Sequence, residues 1–100
     1  MKSSLKLDVI SVEFAAKKIR SITHPIRVQI IKLLEENEKL SVTQIYEKLK
    51  ILQSETSIHL AILREFGIVK KVRQGKMSIY SLNKETLENI IKISEDLSKR

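Results

Sequence analysis

The chain of 100 residues contains no cysteine. That absence excludes thiol catalysis, disulfide bonds and metal sites built on thiolates. Histidine is nearly as scarce. His24 and His59 are the only two, far apart in sequence, and no nucleophile–base set or phosphate-binding glycine loop accompanies them. Enzymatic chemistry finds no support, and no cofactor or metal is expected. No apolar run reaches the roughly 18 residues of a membrane span. Asp8 and Glu13 interrupt the N-terminal segment, which does not read as a signal peptide. A cytoplasmic protein without a membrane partner is the expectation. Acidic residues are also in deficit: 12 Asp and Glu face 19 Lys and Arg, for a formal charge of +7. Such a balance points to a polyanion, most simply nucleic acid or an anionic membrane, with a generic basic surface as the plain alternative.

What is present reads as one domain over 1–100, large enough for a modest core. Residues 5–21 form a predicted helix. Leu5, Val9, Val12, Ala16 and Ile19 fall on one stripe, and Leu7, Ile10 and Phe14 on a second beside it. Two apolar faces suit either a subunit interface or burial in the helix's own domain. Pro25 pushes His24 out of helical conformation and favours a new helix start. That helix runs to about Glu36, with Ile26, Ile30, Leu33 and Leu34 inward and Arg27, Gln29 and Lys32 outward. His24 has no second ligand near it in sequence and reads as a helix-start or packing residue. Ser41 with Gln44 three residues on reads as a capping box. Val42, Ile45, Tyr46 and Leu49 are that helix's inward face, and Lys50 to Leu52 turn the chain into the next helix.

The chain is organised around Gln53 to Leu82. Thr56, Leu60 and Leu63 share a predicted core face with His59 beside them, and Ser54, Ser57, Ile58 and Ala61 lie opposite. Two helices joined by so short a turn make a helix-turn-helix. Gly67 stops the second helix. Ile68, Val69 and Val72 begin a strand, Gln74-Gly75 turns it, and Met77, Ile79 and Leu82 return. Arg64, Lys70, Lys71, Arg73 and Lys76 concentrate positive charge here against the single acid Glu65. A helix followed by a cationic hairpin fits double-stranded DNA, the helix in the major groove and the hairpin on the flanking backbone. Gln53 and Ser54 stand at the helix N-terminus, where free N–H groups favour phosphate. Gln53 can read adenine, Ile58 a thymine methyl, and Glu55 cytosine N4, although Glu55 repels phosphate. An edge hairpin using lysines against aggregation is the alternative for the wing. Asn83 caps a last helix over 84–99, whose stripe Leu87, Ile90, Ser94 and Leu97 is widened by Ile91 and Ile93. With no obvious core left to cover, this helix and 5–21 are expected to build a two-fold interface.

The stretches ITHPIRVQIIKLL, SVTQIYEKL and SETSIHLAILREFGIVKKVRQGKMSIYSL resemble the ArsR/SmtB-type winged-helix repressors of bacteria and archaea. The resemblance covers roughly Ile19 to Leu82. It rests most on His24-Pro25-Ile26-Arg27, on Ser57-x-His59-Leu60-x-x-Leu63-Arg64-x-x-Gly67-Ile68-Val69, and on Arg73-x-Gly75 with Tyr80. It implies a winged helix-turn-helix of five helices and a two-stranded wing. It further implies a homodimer through the first and last helices, and a repressor, less often an activator, that binds an inverted repeat. The departures are informative. Members that sense metals carry Cys pairs in the helix here spanning Val42 to Leu49, or Asp, His and Glu sets in the last helix. This chain has no Cys, and Glu88, Glu95 and Asp96 have no His beside them. Lys50 replaces a common Gly, and Ile58 replaces a commonly polar or basic residue. A winged-helix module for protein–protein contacts, without sequence-specific DNA reading, is the alternative function.

Overall fold

The computed structural model describes residues 13–98. Helix α1 covers residues 13–21 of that range, so Leu5, Leu7, Val9, Ile10 and Val12 of the predicted stripes lie outside the described residues. Then follow α2 (Pro25–Glu36), β1 (Leu40–Ser41), α3 (Val42–Leu49), α4 (Gln53–Glu65), β2 (Val69–Gln74), β3 (Met77–Leu82) and α5 (Lys84–Ser98). The expected five helices and hairpin are present, in a winged-helix arrangement. The sheet differs from expectation in one respect. A third strand, β1, pairs antiparallel with β3 through Leu40↔Tyr80 and Ser41↔Ile79, giving the order β1-β3-β2. Two residues carry too little periodicity to announce a strand, and Ser41 is at the same time the cap of α3.

Helix boundaries follow local chemistry. At α2, His24 is extended, its Nδ1 accepts from the Ile26 N–H at 3.2 Å, and Pro25 opens the helix. At α3, the Gln44 N–H donates to Ser41 Oγ at 3.1 Å and the Ser41 N–H donates to Gln44 Oε1 at 2.9 Å. This reciprocal pair is the expected capping box. Lys50 ends α3 at φ 56°, ψ 44°, in the left-handed region. A non-glycine residue there costs about 1 kcal/mol. At the end of α4, Gly67 sits at φ +74°. Its N–H donates to Arg64 O and the Ile68 N–H to Leu63 O, each at 2.9 Å, which satisfies two otherwise orphaned carbonyls.

The core joins Ile30, Ile31 and Leu34 of α2 to Leu40, Ile45, Leu60, Leu63, Ile68, Val69, Tyr80 and Ile90. Each such side chain contributes about 1.5–3 kcal/mol by leaving water. Thr56 is buried too, and its hydroxyl donates to Leu52 O at 3.0 Å. Two expectations change. Ile90 is 2% exposed and belongs to the chain's own core, so it does not face a second subunit. Helix α5 thus does have core to cover, because Ile90 joins the buried cluster. Leu87 also packs there, while Ile91 remains 43% exposed. Arg27, read as outward, instead folds back on the end of α1. Its Nε donates to Ser21 O at 2.7 Å and its Nη2 to Arg20 O at 3.4 Å. A cation is favourable against the free carbonyls of a helix C-terminus, and this one fixes the α1–α2 corner.

Candidate nucleic-acid interface

Helix α4 is held by its inner face. Thr56, Leu60 and Leu63 are fully buried, as their spacing predicted. Beside them His59 is half-buried, with its ring 4.5 Å from that of His24 between centroids and its Nδ1 3.4 Å from Arg27 Nη1. His24, Arg27 and His59 therefore tie the start of α2 to the middle of α4. Burial lowers the His59 pKa from 6.5, His24 and Arg27 lower it further, and Glu55 opposes them. Helical periodicity missed this brace, because Arg27 reaches back over the helix start rather than out along its own face.

The other face of α4 is free. Gln53, Ser54, Glu55, Ser57, Ile58, Ala61 and Arg64 are all exposed. Ser54, Ile58 and Ala61 follow one another at i, i+4, i+7 down the outermost stripe. Gln53, Ser57 and Arg64 flank it on one side and Glu55 on the other. The N-cap of α4 is Leu52, which is extended and makes no side-chain capping bond. The first N–H groups of the helix thus point outward without a side-chain partner, in the arrangement that attracts phosphate. Leu52 is itself exposed beside them, a feature the helix pattern did not signal.

The wing stands next to α4, and β2 packs against that helix. Its register runs from Val69↔Leu82 to Gln74↔Met77, leaving Gly75 and Lys76 as the two-residue loop. Gly75 has φ +62°, with open space where a Cβ would lie. Positive φ at the first of two loop residues fits a tight hairpin turn. Pairing places Val69, Lys71 and Arg73 on one face with Leu82, Tyr80 and Ser78. Lys70, Val72 and Gln74 share the other face with Ser81, Ile79 and Met77. Lys70, Lys71, Arg73 and Lys76 are all exposed, as expected of a cationic ribbon. Arg73 Nε donates to Gly75 O at 3.3 Å, which curls one guanidinium over the tip. At the wing's base Tyr80 is buried, which raises its pKa, and the nearby Arg64 cation works against that rise. The exposed Val72 and Met77 form an apolar strip on the wing that alternation alone made visible only once the register was fixed.

The terminal helices present less. Of the expected interface residues, Ala16, Ile19, Leu87, Ser94 and Leu97 are half-buried and Ile91 is exposed. Phe14, also exposed, sets its ring 6.5 Å from Phe66 at the end of α4, and Lys18 Nζ lies 4.8 Å over the Phe14 ring. Among the described residues no three His, Asp or Glu side chains gather as a metal group, and no helix is long and apolar enough to cross a membrane.

Comparison with known proteins agrees with this geometry. The family model described as bacterial regulatory protein, arsR family, matches residues 24–71, which span α2 to the wing's first strand. The transcriptional repressor PagR of Bacillus anthracis is 38% identical over 88 residues, 88% of this chain and 88% of its own. An uncharacterized HTH-type transcriptional regulator of Methanocaldococcus jannaschii is 36% identical over 85% of this chain and 96% of its own. The crystal structure of PagR superposes with a TM-score of 0.68, covering 85% of this chain and 97% of that one. Its relatives are regulators rather than enzymes, and with this much of the sequence and fold shared, the chain belongs to the ArsR family of helix-turn-helix transcriptional regulators.

Proposed function

We propose that the protein is a homodimeric repressor that binds an inverted repeat in double-stranded DNA, with α4 in the major groove and the wing on the flanking backbone. One observation carries the reading. Helix α4, with its exposed outer face and open N-terminus, packs against the first strand of a hairpin bearing four exposed cations. The helix supplies side chains that reach base edges, and the hairpin supplies charge that neutralises phosphates without regard to sequence. The name of the PagR relative supports repression.

Dimerisation is supported by the apolar residues that α1 and α5 leave uncovered, chiefly Phe14 and Ile91. Two reading heads related by a two-fold axis match a palindromic site. Ile91→Asp is expected to give a folded monomer by sedimentation. A folded dimer would place the interface elsewhere. Ile90→Asp cannot serve, because it puts a charge into the core.

Binding is tested with the purified protein on fluorescent duplexes from its own upstream region and on scrambled duplexes, at about 150 mM salt, where non-specific binding is weak. A preference of about a thousandfold is expected of a sequence-specific regulator. Equal and weak binding to both would turn attention to a protein partner, for which the exposed Ile58 and Leu52 offer a surface.

A further inference from the structure

Resting on the DNA-binding reading, we infer that Ile58 is a specificity residue that recognises the C5-methyl group of a thymine at the centre of each half-site. A lone exposed isoleucine is ordinary on a protein surface. Ile58 is set apart by where it stands. The opposite face of α4 is fully buried at Thr56, Leu60 and Leu63, so the orientation of the helix is fixed. Ile58 is 60% exposed at the middle of the stripe that points away from that core, between Ser54 and Ala61. This is the line of a recognition helix that comes nearest the floor of the groove.

The chemistry available on that stripe is narrow. The commonest specific contact in the major groove is Arg or Lys bidentate to guanine. The exposed stripe carries neither. Arg64, the only Lys or Arg of α4, lies on the flank in the last turn. Glu65 continues the stripe at its end and Glu55 flanks it, and a carboxylate has no hydrogen to donate to guanine O6 or N7. An isoleucine side chain has no hydrogen-bonding group, and the only apolar feature that base pairs show in the major groove is the thymine methyl. Ser54 is compatible with any neighbouring base, and Gln53 on the adjoining flank has the donor and acceptor that adenine requires. The outermost stripe of α4 therefore offers no bidentate guanine contact, and Ile58 makes the contact that depends on the methyl group.

The test starts from selection of the full-length protein against a random duplex pool, followed by replacement of each thymine in the selected site by deoxyuridine, which removes only the methyl. A selected half-site with a central thymine is expected. Its replacement should weaken binding about fourfold, the burial worth of one methyl group. Ile58→Ala should bind about as weakly as the wild type on the substituted site and should be indifferent to the substitution. Ile58→Val, which keeps a branched apolar end, should retain part of the sensitivity. Circular dichroism shows that the variants fold. A selected site at which no deoxyuridine replacement matters, or an Ile58→Ala variant that keeps the full sensitivity, overturns the role of Ile58 and leaves the regulator reading standing. Failure of the wild type to enrich any site overturns the DNA-reading role itself, and this inference with it.

Discussion

Helix α4 and the wing are neighbours, both exposed, and they carry opposite kinds of surface. The outward stripe of α4 holds Ser54, Ile58 and Ala61 and no cation, whereas the wing holds Lys70, Lys71, Arg73 and Lys76. Each is poor where the other is rich. In the proposed binding mode, charge on the wing gives affinity that does not depend on sequence, since phosphates are the same everywhere. Shape and methyl contacts, as proposed for the helix, give little affinity but differ from base to base. Such a division would let a helix flanked by Glu55 serve on a polyanion.

The comparison breaks most completely if its common platform fails. Leu60→Ala removes a fully buried side chain behind the recognition face and should cost about 2–5 kcal/mol by chemical denaturation. Near that loss, binding to specific and scrambled DNA should fall together. Next in size, the double reversal Lys71→Glu with Arg73→Glu should weaken binding to every duplex by a factor of ten or more in a fluorescence titration. Gln53→Ala should instead change the ranking of duplexes, by about 1–3 kcal/mol at one position. A uniform effect from Gln53 would erase the proposed division.

Smaller effects probe how α4 is held. The His59 pKa in the folded chain lies below its usual 6.5, through burial first and then His24 and Arg27. The unfolded chain therefore takes up a proton before the folded chain does. The stability from neutral His59 is fully present above about pH 6.5 and is lost as pH falls towards the folded pKa. Thermal melts between about pH 7.5 and 5.5 should fall more steeply for wild type than for His59→Gln. Smallest, Lys50→Gly should relieve the left-handed backbone at the turn before α4 and raise stability by up to about 1 kcal/mol.

Much of this platform was legible in the sequence for identifiable reasons. The inner face of α4 shows in the spacing of Thr56, Leu60 and Leu63. Ser41 with Gln44, Pro25 after His24, and the two glycines mark the boundaries, because each residue type does there what few others can. The departures share a cause. Arg27 turns back on the chain, Ile90 fills a gap between elements distant in sequence, and β1 exists only because β3 lies beside it. Periodicity describes one element at a time, and these three features depend on two. The candidate site was legible as a set of exposed residues. Which wing cations share a face with Tyr80 became clear from the register as realised.

The most direct test of the division between helix and wing is the dependence of binding on salt for the wild type, Arg73→Ala with Lys76→Ala, and Ile58→Ala, on one specific duplex. Neutralised phosphates set the slope of log affinity against log salt, at about 0.9 per contact. The wing variant should show a slope shallower by about 2 and weaker binding to all duplexes, while Ile58→Ala should keep the wild-type slope. A wing variant with unchanged slope and affinity would contradict the account, since the hairpin would then make no contact with the phosphate backbone.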